Sequence, residues 1–151
     1  MPTFILRTQI NAPVERCFDL ARRIDLHLDT MKHTAERAIA GVTSGLIGLN
    51  ETVTWKARHF GVVMTLTSKI TECSSPEIFT DEMVAGPFKM MKHRHVFEQK
   101  DGYTLMTDEF MYESPLAKLG KAADALFLRS YMQHLIEHRN KVIKQKAEST
   151  T

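Results

Sequence analysis

His93 and His95 stand two apart in the run Met91-Lys92-His93-Arg94-His95-Val96-Phe97. In a strand, that spacing projects both imidazoles from one face, together with Met91 and Phe97. Met90, Lys92, Arg94, Val96 and Glu98 take the opposite face, whose cationic character marks it as the outer one. Two imidazoles therefore turn inward among apolar side chains. Imidazole titrates near neutrality, and a carboxylate partner fixes its tautomer and raises its basicity. Strand parity supplies two such partners. Asp81 points inward one strand earlier. On the strand that follows, Met106, Asp108, Phe110 and Tyr112 share the face that carries both large aromatics, which is read as the inner one. His93, His95, Asp81 and Asp108 are the acid–base candidates.

Three readings of these residues are open. An Asp-oriented histidine can act as general acid or base on a bound ligand. The same groups can form a buried hydrogen-bonded network that specifies strand register and lines a pocket. Two imidazoles on one strand face can also ligate a metal, with His59, Glu51 or Asp81 completing the shell. The long helical C-terminus has no place in the double-stranded rolls that use the last arrangement, so no metal and no cofactor are expected. His134 and His138, one helical turn apart, read as solvated residues of a helix. Neither a Ser-His-Asp nor a Cys-His nucleophile arrangement has support in spacing.

The elements that must position these residues follow from periodicity. Residues 3–11 alternate as a strand, and Pro13 with Glu15 opens a helix whose apolar stripe is Val14, Cys17, Phe18 and Ala21. A second short helix is read over 24–30. Strands follow at 36–42, 51–60, 62–71 and 78–84, then the histidine strand, then 103–112, divided by Gly, Pro and Asn/Asp turn signals. A long helix runs from 116 to about 146. Leu119, Ala122, Ala123, Leu126 and Phe127 form its early stripe, and Tyr131, Leu135, His138 and Val142 a later one. Residues 1–146 are read as one domain and 147–151 as a frayed tail.

Consecutive strands joined by short turns make an antiparallel meander, and a long amphipathic helix must bury its stripe against the meander's apolar face. The expectation is an α+β helix-grip fold: a curved antiparallel sheet of about seven strands, in the order β-α-α-β6-α, around a C-terminal helix. A sheet curving away from the helix leaves an apolar cavity between them. Its predicted lining is Trp55, His59, Met64, Phe79, Asp81, Met83, Met91, His93, His95, Met106 and Phe110 from the sheet, and Leu126 and Ser130 from the helix.

Composition narrows the partners. A formal net charge of +2 over 151 residues does not argue for nucleic acid. Lys118, Lys121, Arg129, Arg139, Lys141, Lys144 and Lys146 make the last helix basic, which reads as a solvated face, with weak contact to an anionic membrane surface as the second reading. Cys17 and Cys73 are far apart and read as reduced thiols. The first residues lack a signal peptide's basic and apolar regions, and a cytoplasmic location is expected. Nine methionines suit an adaptable apolar pocket.

Four segments together resemble the START-like (SRPBCC) superfamily of helix-grip proteins over nearly the whole chain. They are Ile10-Asn11-Ala12-Pro13-Val14-Glu15-Arg16-Cys17-Phe18-Asp19, Gly86-Pro87-Phe88 through His93-x-His95-x-Phe97, Gly102-Tyr103-Thr104-Leu105-Met106-Thr107-Asp108, and Tyr112-Glu113-Ser114-Pro115-Leu116. The nearest subgroup is similar to single-domain bacterial proteins of polyketide cyclase/dehydrase-like type. The resemblance implies a carrier or sensor for a hydrophobic small molecule or lipid. Alternatively, it implies a cyclase or dehydratase using a His-Asp pair in the same cavity. The superfold hosts both, so the ligand does not follow from the fold.

Overall fold

A computed structural model describes residues 3–114 and 127–149. Strand β1 (Thr3–Ile10) leads through Pro13 into helix α1 (Val14–Ala21) and helix α2 (Ile24–Thr30). Six strands follow: β2 (Arg37–Gly41), β3 (Thr52–His59), β4 (Val62–Ser74), β5 (Ile78–Ala85), β6 (Met90–Gln99) and β7 (Thr104–Glu113). Helix α3 (Arg129–Glu148) completes the described chain. All strands pair antiparallel in one sheet of order β1-β7-β6-β5-β4-β3-β2. This is the α+β order expected. The leading part of the C-terminal helical pattern, with Leu119, Ala122, Ala123 and Leu126, lies outside the described residues. No described helix is long and apolar enough to cross a membrane.

Local chemistry explains the joints. The β3–β4 hairpin turns on two residues, since His59 pairs with Val62. Phe60 and Gly61 both have positive φ, 54° and 75°, as the tightest hairpin turns require. Glycine takes that conformation freely, whereas a bulky Phe is an outlier there. Gly41 ends β2 at φ 73°, and a Cβ built on it would stand 2.1 Å from the Thr52 carbonyl oxygen.

The core has two lobes. In the larger, the ring of Phe18 from α1 meets Phe79 and Phe97 edge-on, at centroid distances of 5.5 and 5.4 Å, with Ile143 and Ala147 of α3 in the same cluster. The smaller gathers Phe4, Met91, Phe110, Tyr112 and Ile136. At its C-terminal end, α3 is fastened to the first helix. Arg16 donates from Nε to the Ala147 carbonyl at 2.8 Å, and from Nη2 to the carbonyls of Lys146 and Ser149. A cation on the last carbonyls of a helix satisfies orphan acceptors and opposes the helix dipole.

Candidate functional site

Between the two lobes the sheet bends away from α3 and encloses a cavity of about 350 Å3. Its wall is largely apolar, with Val53, Trp55, Ala57, Met64, Leu66 and Phe79 among the sheet residues and Met132, Leu135 and Ile136 from α3. Most of the sequence-derived lining is found there: Trp55, His59, Met64, Phe79, Asp81, Met91, His93, His95 and Phe110 all face the cavity. Three expectations differ. Met106 has the predicted parity but is fully buried in the larger lobe, one layer behind the wall. Met83 packs beside the smaller lobe without lining the cavity, and Ser130 is exposed on the outer side of α3. Leu126 lies outside the described residues. Glu51, offered as a shell ligand, is exposed and accepts the Gly48 amide at 2.7 Å.

One end of the cavity is polar. The parity of β5, β6 and β7 brings Asp81, His93, His95 and Asp108 together, because consecutive strands place their inward residues side by side. Asp81 stands opposite His93 and Asp108 opposite His95 in the pairing. The hydrogen bonds run diagonally instead. His93 Nε2 donates to Asp108 Oδ1 at 2.7 Å, and His95 Nε2 donates to Asp81 Oδ1 at 2.8 Å. The imidazoles lie over one another with centroids 3.8 Å apart, and His95 also stacks on Phe79 at 4.0 Å. Asp108 is wholly buried behind them.

Helix α3 supplies what the sheet lacks. Asn140 Nδ2 donates to Asp108 Oδ2 at 2.7 Å, and Arg139 Nη1 donates to Asn140 Oδ1 at 3.0 Å while lying 3.6 Å from Asp108 Oδ1. Arg139 Nη2 donates to the Ala21 carbonyl and stands 3.5 Å from His95 Nδ1. Arg139 is only 5% exposed, which corrects its expected place on a solvated basic face. The buried stripe of α3 is Leu135, Ile136, Arg139, Asn140, Ile143 and Ala147, so His138, expected on it, lies outside it. A charged side chain scores as surface until its partners are known, and those of Arg139 include the Ala21 carbonyl on α1, His95 on β6 and Asp108 on β7. The signal that could have found it is the 3-4 spacing of Met132, Ile136, Arg139 and Ile143, which reads as one stripe once a polar member is allowed.

Electrostatics follow from this packing. Burial holds His93 neutral, its pKa lowered to about 4, with the neighbouring His95 adding to the effect and Asp108 opposing it. Burial alone would raise both carboxyls. For Asp81 the His95 hydrogen bond outweighs it and leaves the pKa below the usual value. For Asp108 the bonds from His93 and His95 and the charge of Arg139 carry it well below. The pole therefore holds two carboxylates and one guanidinium.

At the other end, His59 Nδ1 and the Tyr131 hydroxyl are 2.6 Å apart, linking β3 to α3. Burial lowers the His59 pKa. Phe60 lies 4.5 Å from Tyr131 and 5.1 Å from Phe127, making an aromatic cluster where the cavity meets solvent. Trp55 is backed by His27 at 4.2 Å, and His27 pairs with Glu36 at 2.6 Å.

Asp81, His93 and His95 bring ligand-type atoms within 4.8 Å of one another, the one such group among the described residues. The Nε2 atoms of both imidazoles are committed to Asp108 and Asp81, and the Arg139 guanidinium stands beside Asp108. A metal ion on those nitrogens would have to displace two short hydrogen bonds.

No protein-family model matches the chain, and no curated protein is similar enough in sequence to count as a relative. Solved structures do match. The protein TTHA0849 of Thermus thermophilus is 19% identical with a TM-score of 0.78, each chain covered over 97%. Major latex-like protein 151 of Panax ginseng is 14% identical with a TM-score of 0.72, each covered over 98%. The di-domain ARO/CYC BexL of the BE-7585A biosynthetic pathway is 16% identical with a TM-score of 0.79, over 99% of this chain and 50% of that one. At such identities the likeness is one of fold: the chain shares with these structures a helix-grip arrangement, an antiparallel sheet of seven strands closed around a C-terminal helix.

Proposed function

We propose that the protein binds a hydrophobic small molecule in the cavity between the sheet and α3, as a carrier or sensor. The observation that carries this reading is the cavity itself. Its volume of about 350 Å3 falls at the low end of the range of about 300–1,000 Å3 common for ligand pockets. A mainly apolar wall with a few convergent polar groups is the usual composition of such a site. That size suits one compact ligand rather than a two-chain lipid. Solvent extraction of denatured protein followed by mass spectrometry tests for a resident ligand. A melting screen with fatty acids, sterols, flavonoids and polyketides tests for binding. A ligand present at 100 times its Kd stabilises by about 2.7 kcal/mol. An empty extract together with unmoved melting temperatures across the screen would refute the reading.

A second reading is favoured by His93 alone. It is neutral, oriented by Asp108 through Nε2, and Nδ1 has no hydrogen-bond partner among the described residues. A neutral imidazole with one nitrogen held by a carboxylate is the arrangement of a general base. A cyclase or dehydratase acting on a polyketone would use it to remove a proton next to a carbonyl. Turnover of a poly-β-ketone that survives His93→Gln would eliminate this reading, while ligand binding would be unaffected by that result.

A further inference from the structure

We infer that the ligand of this cavity carries a cationic amine, seated on Asp81 at the polar end. The inference rests on the cavity-binding reading above and specifies the chemistry of its occupant.

The polar end offers acceptors. Asp81 uses Oδ1 for His95, and Oδ2 has no hydrogen-bond partner among the described residues. The Asp81 side chain is 20% exposed, and Asp81 lines the cavity, so that oxygen is within a ligand's reach. His93 donates from Nε2 to Asp108, which leaves Nδ1 as an acceptor on the same wall. Ligand-type atoms of Asp81, His93 and His95 all lie within 4.8 Å of one another. An ammonium group supplies three donors and no acceptor.

Charge points the same way. The Asp81 carboxylate has one oxygen without a hydrogen-bond partner, and no lysine or arginine among the described residues forms an ion pair with it. Arg139 is already committed to Asn140, Ala21 and the His95–Asp108 edge. The other charged residues on the lining do not cancel that charge at the polar end. Arg22 is bound to Asp19 and the Ile47 carbonyl, Glu36 is bound to His27, and Arg23 is exposed. An uncompensated charge in an apolar cavity is costly, and a ligand of charge +1 neutralises it. A carboxylate ligand would set acceptors against acceptors and add a second negative charge.

Isothermal titration of the full chain at pH 8, above the ordinary imidazole range, tests this with three naphthalenes of matched size: 2-(1-naphthyl)ethylamine, 2-(1-naphthyl)ethanol and 1-naphthylacetate. The amine should bind at least ten-fold more tightly than the alcohol, and the acetate more weakly than both. Asp81→Asn should bring the amine down to the alcohol's affinity and leave the alcohol unchanged. If the alcohol or acetate equals the amine, the inference is overturned and the cavity reading stands. If none of the three binds, both are overturned. The wild-type ranking decides the question even if the variant does not fold.

Discussion

Acidification should destabilise this protein through His93, by an amount that follows from its burial. The folded pKa is about 4, against an ordinary value of 6.5 in the unfolded chain. Above pH 6.5 both states hold a neutral ring, and the group costs almost nothing. Between 6.5 and 4 the unfolded chain binds a proton that the fold refuses. Stability therefore falls as pH falls through that window, and the loss is complete near pH 4. Linkage gives a penalty of about 0.2 kcal/mol at pH 7 and about 2 kcal/mol at pH 5. The assay is urea denaturation at both pH values for the wild type and for His93→Gln, whose amide can still donate to Asp108 but does not titrate. The wild type should lose about 2 kcal/mol more than the variant on going from pH 7 to pH 5. His59, also lowered by burial, contributes in the same direction to both proteins and cancels in the comparison. Asp81 and Asp108, with pKa values below the carboxyl norm, lose their share only at lower pH. Equal losses in the two proteins, or a His93 resonance titrating near 6.5, would refute the account of the buried pole.

Arg139→Leu removes the cation beside the fully buried Asp108 and should cost about 3–5 kcal/mol in urea denaturation; adding Asp108→Asn should restore part of it. Arg16→Ala releases the last carbonyls of α3 and should cost about 1 kcal/mol, visible as faster amide exchange over 143–149. Gly41→Ala forces a Cβ into the Thr52 carbonyl at positive φ and should lower stability by at least about 2 kcal/mol, measured by thermal melting.

The sheet half of the site is legible in the sequence because side-chain parity in a strand has a period of two. Once Lys92 and Arg94 mark the outer face of β6, the direction of His93 and His95 follows, and cross-strand pairing brings Asp81 and Asp108 beside them. Depth is harder to read than direction. Met106 points inward as expected, yet the rings of Phe18 and Phe97 share its lobe and leave it behind the wall. The helix half is legible only in outline. At 3.6 residues per turn, overlapping stripes compete, and the one containing Tyr131 and His138 differs by one position from the one that is buried. What decides between them is the chance to pair Arg139 and Asn140 with a carboxylate on a distant strand. No local pattern carries that information.

The fastening of α3 has a mechanical consequence. At its C-terminal end three hydrogen bonds from Arg16, one from the Asn11 amide to Glu148, and one from Lys144 to the Gln9 carbonyl hold it to α1 and β1. At the Tyr131 end it is held by the His59 bond, the ring contacts with Phe60, and the packing of Leu128, Met132 and Ile136 against the smaller lobe. Arg139 and Asn140 lie between these two attachments along the helix. The charged pole is therefore held from both directions along the helix, by the Arg16 fastening on one side and the His59–Tyr131 bond on the other.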